Sequence, residues 1–230
     1  MSVTKFILAT LFAAVSCSVA QAHFPWLVID QEDRARYFFG ENPGDRTYKM
    51  PESIADAKVF SMVDARRTDE LKLEKQESDD FIGLRSAGPV DPDATLTSTV
   101  NYGVYHGSNL KYYSIYQGKL AETDLANASN PYPQDFKARA IRSGDRVEVL
   151  VTFKNEPLAD AEVTLFDGQG KEKAKTKTDK QGKASFEASD VAKGLNAVLV
   201  GHTNDAPGKA DGKPYASESH YLTLAFERQE

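Results

Sequence analysis

From Ser143 to Phe226, turn signals return at intervals of about one strand length, and this rhythm restricts the fold more than any other feature of the chain. Ser143-Gly144-Asp145 leads into Arg146–Phe153 (RVEVLVTF), where Val147, Val149 and Val151 share one face. Asn155-Glu156-Pro157-Leu158 leads into a strand over 161–166. Asp167-Gly168-Gln169-Gly170 leads into 171–178, and Asp179-Lys180-Gln181-Gly182 into 184–188. Strands are also predicted over 197–200 and 221–226. Short alternating segments punctuated in this way predict an antiparallel β-sandwich of immunoglobulin-like type over residues 137–230. Lys171, Lys173, Lys175 and Lys177 alternate, which suits the exposed face of an edge strand guarded against aggregation.

Residues 23–126 follow the same grammar less regularly. Strands are predicted over 24–30, 35–39, 58–63, 71–73, 94–102 and 110–116, with His106-Gly107-Ser108-Asn109 as a hairpin loop. Asn127 to Pro133 is polar and broken by two prolines, so 127–136 reads as a linker. The Asn127-Ala128-Ser129 sequon within it carries little information. The expected architecture is all-β: two antiparallel β-sandwich units, 23–126 and 137–230.

The first 22 residues read as a cleaved signal peptide. Lys5 precedes an apolar run from Phe6 to about Val19, and Ala20-Gln21-Ala22 is a cleavage site of A-x-A type. Processing there makes His23 the first residue of a periplasmic or secreted protein. The single cysteine, Cys17, lies inside this segment, so the processed chain has neither a disulfide nor a thiolate ligand. Lipidation at Cys17 is the competing route, and it would remove the free His23 terminus. The net charge of −6 becomes one unit more negative when Lys5 is lost, which argues against nucleic acid or an anionic lipid surface as a partner. No other apolar stretch approaches the roughly 20 residues of a membrane span, so no direct membrane insertion is expected after cleavage.

Nothing in the chain spells a catalytic motif: G-x-S-x-G, H-E-x-x-H, a P-loop and G-x-G-x-x-G are all missing. The reading is therefore of a binding protein rather than an enzyme, and the four histidines carry it. A free α-amine on His23, with a pKa of about 7.7–8, and the ring of the same residue can grip one transition-metal ion. Pro25 has no N–H, so chelation through successive backbone amides stops at Phe24 and other side chains must complete the site. His202 extends the face of Val198 and Val200, and His220 opens the face of Leu222, Leu224 and Phe226. If these consecutive strands pair antiparallel, the two imidazoles meet across one hairpin mouth, with Cβ atoms about 4.5–5.5 Å apart. His106, in a turn among Tyr102, Tyr105, Tyr112, Tyr113 and Tyr116, is a candidate fourth ligand. Imidazole and amine donors suit nickel, cobalt or copper, with tetragonal nitrogen sets favouring copper(II).

Several segments resemble a family of secreted bacterial proteins often described as the periplasmic component of nickel or cobalt uptake. They are AHFPWL at the signal end, VNYGVYHGSNLKYY, SGDRVEVLVTFKNEPLADAEVTLF with KTDKQGKASFEA, and LVGHTNDAPGK with YASESHYLTLAF. The Pro-Leu-Ala-x-Ala-x-Val and Thr-Asp-x-x-Gly part is also shared by many transthyretin-like sandwich modules. The resemblance implies a periplasmic, metal-linked role and places His23, His202 and His220 in the family's motifs. A component of an inner- or outer-membrane metal transporter is the implied partner. Residues 45–88 do not follow the family pattern.

The leading expectation is a periplasmic nickel-, cobalt- or copper-binding protein for uptake or delivery. Its site joins the amine and ring of His23 to His202 and His220, with His106 in reserve. Two other readings are a metal-free module that binds protein or glycan through exposed tyrosines, and a copper redox enzyme of histidine-brace type.

Overall fold

The computed structural model describes residues 22–64, 67–121 and 132–229. The segment expected to be a signal peptide lies, up to Gln21 and with Cys17, outside the described residues, as do 127–131 of the expected linker, with the sequon.

Strand pairing builds three stacked sheets. The middle one has eight strands in the order β13 (Glu172–Lys177), β12 (Glu162–Asp167), β15 (Gly194–Asn204), β18 (Ser217–Arg228), β8 (Ser108–Gln117), β7 (Thr95–Tyr105), β3 (Val59–Asp64) and β4 (Arg67–Glu70). One outer sheet runs β1 (Phe24–Ile29), β2 (Ala35–Gly40), β6 (Ile82–Ser86), β5 (Leu73–Glu77). The other centres on β10 (Arg146–Phe153), flanked by β9 (Phe136–Ser143), β14 (Lys183–Glu187) and the two-residue β11 (Glu156–Pro157). A small hairpin, β16 (Gly208–Ala210) with β17 (Lys213–Tyr215), and a four-residue helix, α1 (Glu52–Ala55), complete the described elements. None of the helical structure described is long and apolar enough to cross a membrane.

The alternation of side chains along each strand makes the two cores. On β8, Leu110, Tyr112 and Tyr116 point to one face, where they share a core with Phe24 and Trp26 of β1. Tyr113 and Ile115 point to the other and pack with Phe136, Ala138, Val147, Val149 and Val151. β18 divides likewise, with Ala225 on the first face and Leu222, Leu224 and Phe226 on the second. Each central strand is thus apolar on both faces. At about 25 cal/mol per Å² of apolar surface removed from water, burial on both faces is the main force holding the layers together.

The chain is all-β, as the turn rhythm predicts. Its joining differs from two separate units: β18 pairs in parallel with β8, from Ser217↔Ser108 to Phe226↔Gln117, so strands from both sides of 127–136 share the middle sheet. Parallel pairing between distant segments leaves no local trace, whereas hairpins announce themselves by their turns. β9 escapes prediction because two of its buried residues are Ala138 and Ala140, which give a faint apolar signal beside the prolines of the linker. The strand expected at 71–73 begins only at Leu73, and β15 and β18 run several residues past their predicted ends. The lysine-rich β13 occupies an edge of the middle sheet with Lys173, Lys175 and Lys177 exposed, as the alternating charges suggest.

Candidate functional site

β1 docks on the middle sheet through the residues immediately after His23. The Pro25 carbonyl accepts hydrogen bonds from Ser114 Oγ at 3.0 Å and Thr223 Oγ1 at 2.7 Å. The Trp26 indole donates to the Gly40 carbonyl at 3.0 Å, and its side chain is fully buried. Phe24 packs between Tyr221 and Tyr112, with ring centroids 5.1 and 6.4 Å away. These contacts fix the start of β1 and therefore the place of His23. In the β1–β2 hairpin, Phe24 pairs with Gly40, so one step outward His23 faces Glu41. His23 Nε2 lies 3.7 Å from Glu41 Oε1. The ring packs on Tyr48, centroid to centroid 3.7 Å, and on Phe39 at 5.9 Å.

His23 lines a cavity of about 510 Å³ whose walls also include Ala22, Tyr48, Tyr102, Tyr105, His106, Tyr112 and Tyr221. His106 reaches it from the β7–β8 hairpin, where Tyr105 pairs with Ser108 and the two loop residues take φ of 46° and 80°. Positive φ at both central positions defines a type I′ turn, which favours Asn-Gly. Gly107 fits it freely, and His106 takes the left-handed conformation, which among non-glycine residues is commonest for asparagine, aspartate and histidine. A bulge between Asn101 and Gly103 sets Tyr102 edge-on to Tyr112 and Tyr105, at 5.7 and 6.2 Å. Tyr105 in turn meets the His106 ring at 4.2 Å. Tyr48 and Tyr105 are the two large hydrophobic side chains found exposed among the described residues, at 44% and 53%, and both line this cavity.

His202 and His220 are direct partners in the β15–β18 ladder. Their rings lie 6.2 Å apart and nearly parallel, and Phe153 sits 4.7 Å from each. His220 is fully engaged: Tyr113 Oη is 3.1 Å from Nδ1 and Asn204 Oδ1 is 3.1 Å from Nε2. An amide oxygen only accepts, so Nε2 carries the proton and Nδ1 accepts from the Tyr113 hydroxyl. Glu218 Oε2 lies 3.6 Å from the same Nε2, and Lys111 holds that carboxylate at 2.7 Å. Burial nevertheless dominates and pushes the His220 ring down to about 4, with the Glu218 charge opposing and the Lys111 charge adding to the shift. His202 is lowered in the same direction by burial and then by the Lys154 charge. Both imidazoles are neutral at pH 7. A metal on either nitrogen of His220 would have to displace a hydrogen bond already made.

The four candidate ligands thus fall into two pairs. The structure brings His202 to His220, in the register the sequence suggests, and brings His23 and His106 to one cavity. It does not bring the pairs together. β18 places His220 on one face of the middle sheet and Tyr221, which lines the His23 cavity, on the other. Among the described residues, no three His, Cys, Asp or Glu side chains converge closely enough to hold an ion between them. Glu41 and Tyr48 are absent from the sequence reading. Glu41 was within reach through the β1–β2 register, but Tyr48 comes from a loop whose path only tertiary packing sets.

Fold and cavity together define an all-β, three-layer arrangement of the described residues, with an aromatic cavity where the first strand begins. Compared with known proteins, the chain matches no family model and no curated protein.

Proposed function

We propose that the protein binds a divalent transition metal, nickel, cobalt or copper, in the periplasm or outside the cell. It serves uptake or delivery to a membrane transporter component, and the site is built on His23. The observation that carries this reading is that Ala22, His23 and His106 border one cavity. Cleavage after Ala22 would therefore free the His23 amine on the cavity wall, next to its own imidazole and the Glu41 carboxylate. The amine and ring of His23 are donors suited to these ions, and His106 borders the same cavity. The reading rests on this face of the sheet, whereas His220, with both ring nitrogens hydrogen-bonded, serves the fold.

The test is calorimetric titration of processed protein with nickel(II) and copper(II), after mass spectrometry has established the N-terminus. His23→Ala should weaken binding at least tenfold, as should one extra residue ahead of His23. Equal affinity in all three proteins would end the metal reading. A second reading, a metal-free module that binds a glycan or protein through its rim, is favoured by the exposure of Tyr48 and Tyr105. It requires ligand binding that survives a chelator.

A further inference from the structure

Among the described residues, no Asp, Glu, Lys or Arg side chain lines the cavity beside His23. Glu41, 3.7 Å from His23 Nε2, is not one of its walls. A charged ligand would find no counter-charge on these side chains, and a charge taken out of water is costly unless paired. What the walls offer instead is rings and hydroxyls. Tyr48, Tyr102, Tyr105, Tyr112 and Tyr221 all line the cavity, and none of their hydroxyls is hydrogen-bonded to another described residue. Tyr112 is only 5% exposed, its ring edge-on to Tyr102 at 5.7 Å and tilted on Tyr221 at 5.9 Å. Burial pushes its hydroxyl well above the ordinary tyrosine value, and Tyr102, Tyr221 and Tyr105 add to the rise, so it keeps its proton and can donate. A hydroxyl so deeply placed is normally hydrogen-bonded, and one left without a partner costs stability. On a cavity wall, that partner is supplied by what the cavity holds. The volume of about 510 Å³ lies within the roughly 300–1,000 Å³ of small-molecule sites.

We propose that this cavity binds a neutral hexopyranose sugar. The proposal names the ligand of the metal-free reading above and rests on that reading. A neutral pyranose needs no counter-charge. Its C–H groups form an apolar face that packs on an aromatic ring, and its hydroxyls both give and take hydrogen bonds, as tyrosine hydroxyls do. Tyr112, with Tyr102 and Tyr221 beside it, meets the sugar hydroxyls. Tyr48 and Tyr105, the two exposed rings, cover its C–H face. A flat aromatic ligand would use the rings but leave most of the five hydroxyls unbonded.

The test is an NMR titration of the protein with glucose, galactose and mannose, each with and without EDTA, and with glucosamine and glucuronate as charged forms of the same ring. At least one neutral hexose should bind, equally well with the chelator, and the charged sugars at least tenfold more weakly. Tyr112→Phe keeps the ring and removes only the hydroxyl, so its urea midpoint should stay the same or rise while hexose affinity falls about tenfold. A Tyr48→Ala, Tyr105→Ala double variant, altered only at exposed rings, should lose about tenfold as well. Charged and neutral sugars binding alike, or Tyr112→Phe binding the hexose as the unaltered protein does, would overturn the proposal and leave the metal-free reading standing. No hexose bound at millimolar concentration would also overturn it, leaving that reading with a protein partner alone. Hexose binding abolished by EDTA would bring down both, since an ion would then be required.

Discussion

Two pairs of histidines lie at the same end of the middle sheet on opposite faces, and they differ in almost every physical respect. His202 and His220 face the β9–β10–β14 layer, where Phe153 packs against both rings and Tyr113 and Asn204 occupy both nitrogens of His220. His23 and His106 face a cavity bordered by exposed tyrosines, and His106 sits in a left-handed turn conformation. The first pair is packed against Phe153, and burial lowers both rings, with both nitrogens of His220 hydrogen-bonded. The second is open, and the His106 backbone holds a conformation that a plain hairpin would give to asparagine. A histidine with both ring nitrogens hydrogen-bonded serves the fold, whereas one on a cavity wall is open to a ligand.

The largest effect should come from the closed pair. His220→Ala removes a buried ring and leaves the Tyr113 hydroxyl and the Asn204 amide oxygen without partners. It should destabilise the protein by about 3–4 kcal/mol in urea titrations. The same change at His23 should stay within about 0.5 kcal/mol. Similar losses at both positions would erase the distinction between the faces.

Acid should find the same difference. His220 titrates near 6.5 when unfolded and is pushed to about 4 by burial in the fold. Between those values the unfolded chain takes up a proton that the folded chain refuses. The stabilisation is therefore complete above pH 6.5 and is lost as pH falls towards 4, by about 2–3 kcal/mol. Urea midpoints measured from pH 7 to pH 4 should fall more steeply in the unaltered protein than in His220→Phe. Parallel curves would mean that the ring is not held neutral.

The smallest effect belongs to the open pair. His106→Asn relaxes the type I′ turn and should raise stability by about 0.5–1 kcal/mol in the same assay. It should also weaken nickel binding. A variant that loses stability instead would show that the His106 ring contributes packing rather than ligand contact.

Much of the fold was legible in the sequence because hairpins are local. The turns around β10, β12, β13 and β14 place Gly, Asn and Asp where the chain must reverse, and the alternation of Val147, Val149 and Val151 shows the buried face. The His202↔His220 pairing was legible for the same reason, since consecutive strands and a period of two suffice to predict it. The β8–β18 pairing was not, because nothing local marks two strands separated by about a hundred residues. His23 could be singled out, and Glu41 follows from the local β1–β2 register, but Tyr48 could not be found this way. Tyr48 meets the His23 ring from a loop whose path only tertiary packing sets.

The amino-acid sequence by itself determined the all-β character, many of the turns and which residues of the predicted strands share a face, since all three follow from the two-residue period of an extended chain. Only the tertiary structure decided which histidines meet. That choice depends on which face of the shared sheet each strand presents. A single step along β18, from His220 to Tyr221, separates the His202–His220 pair from the open cavity.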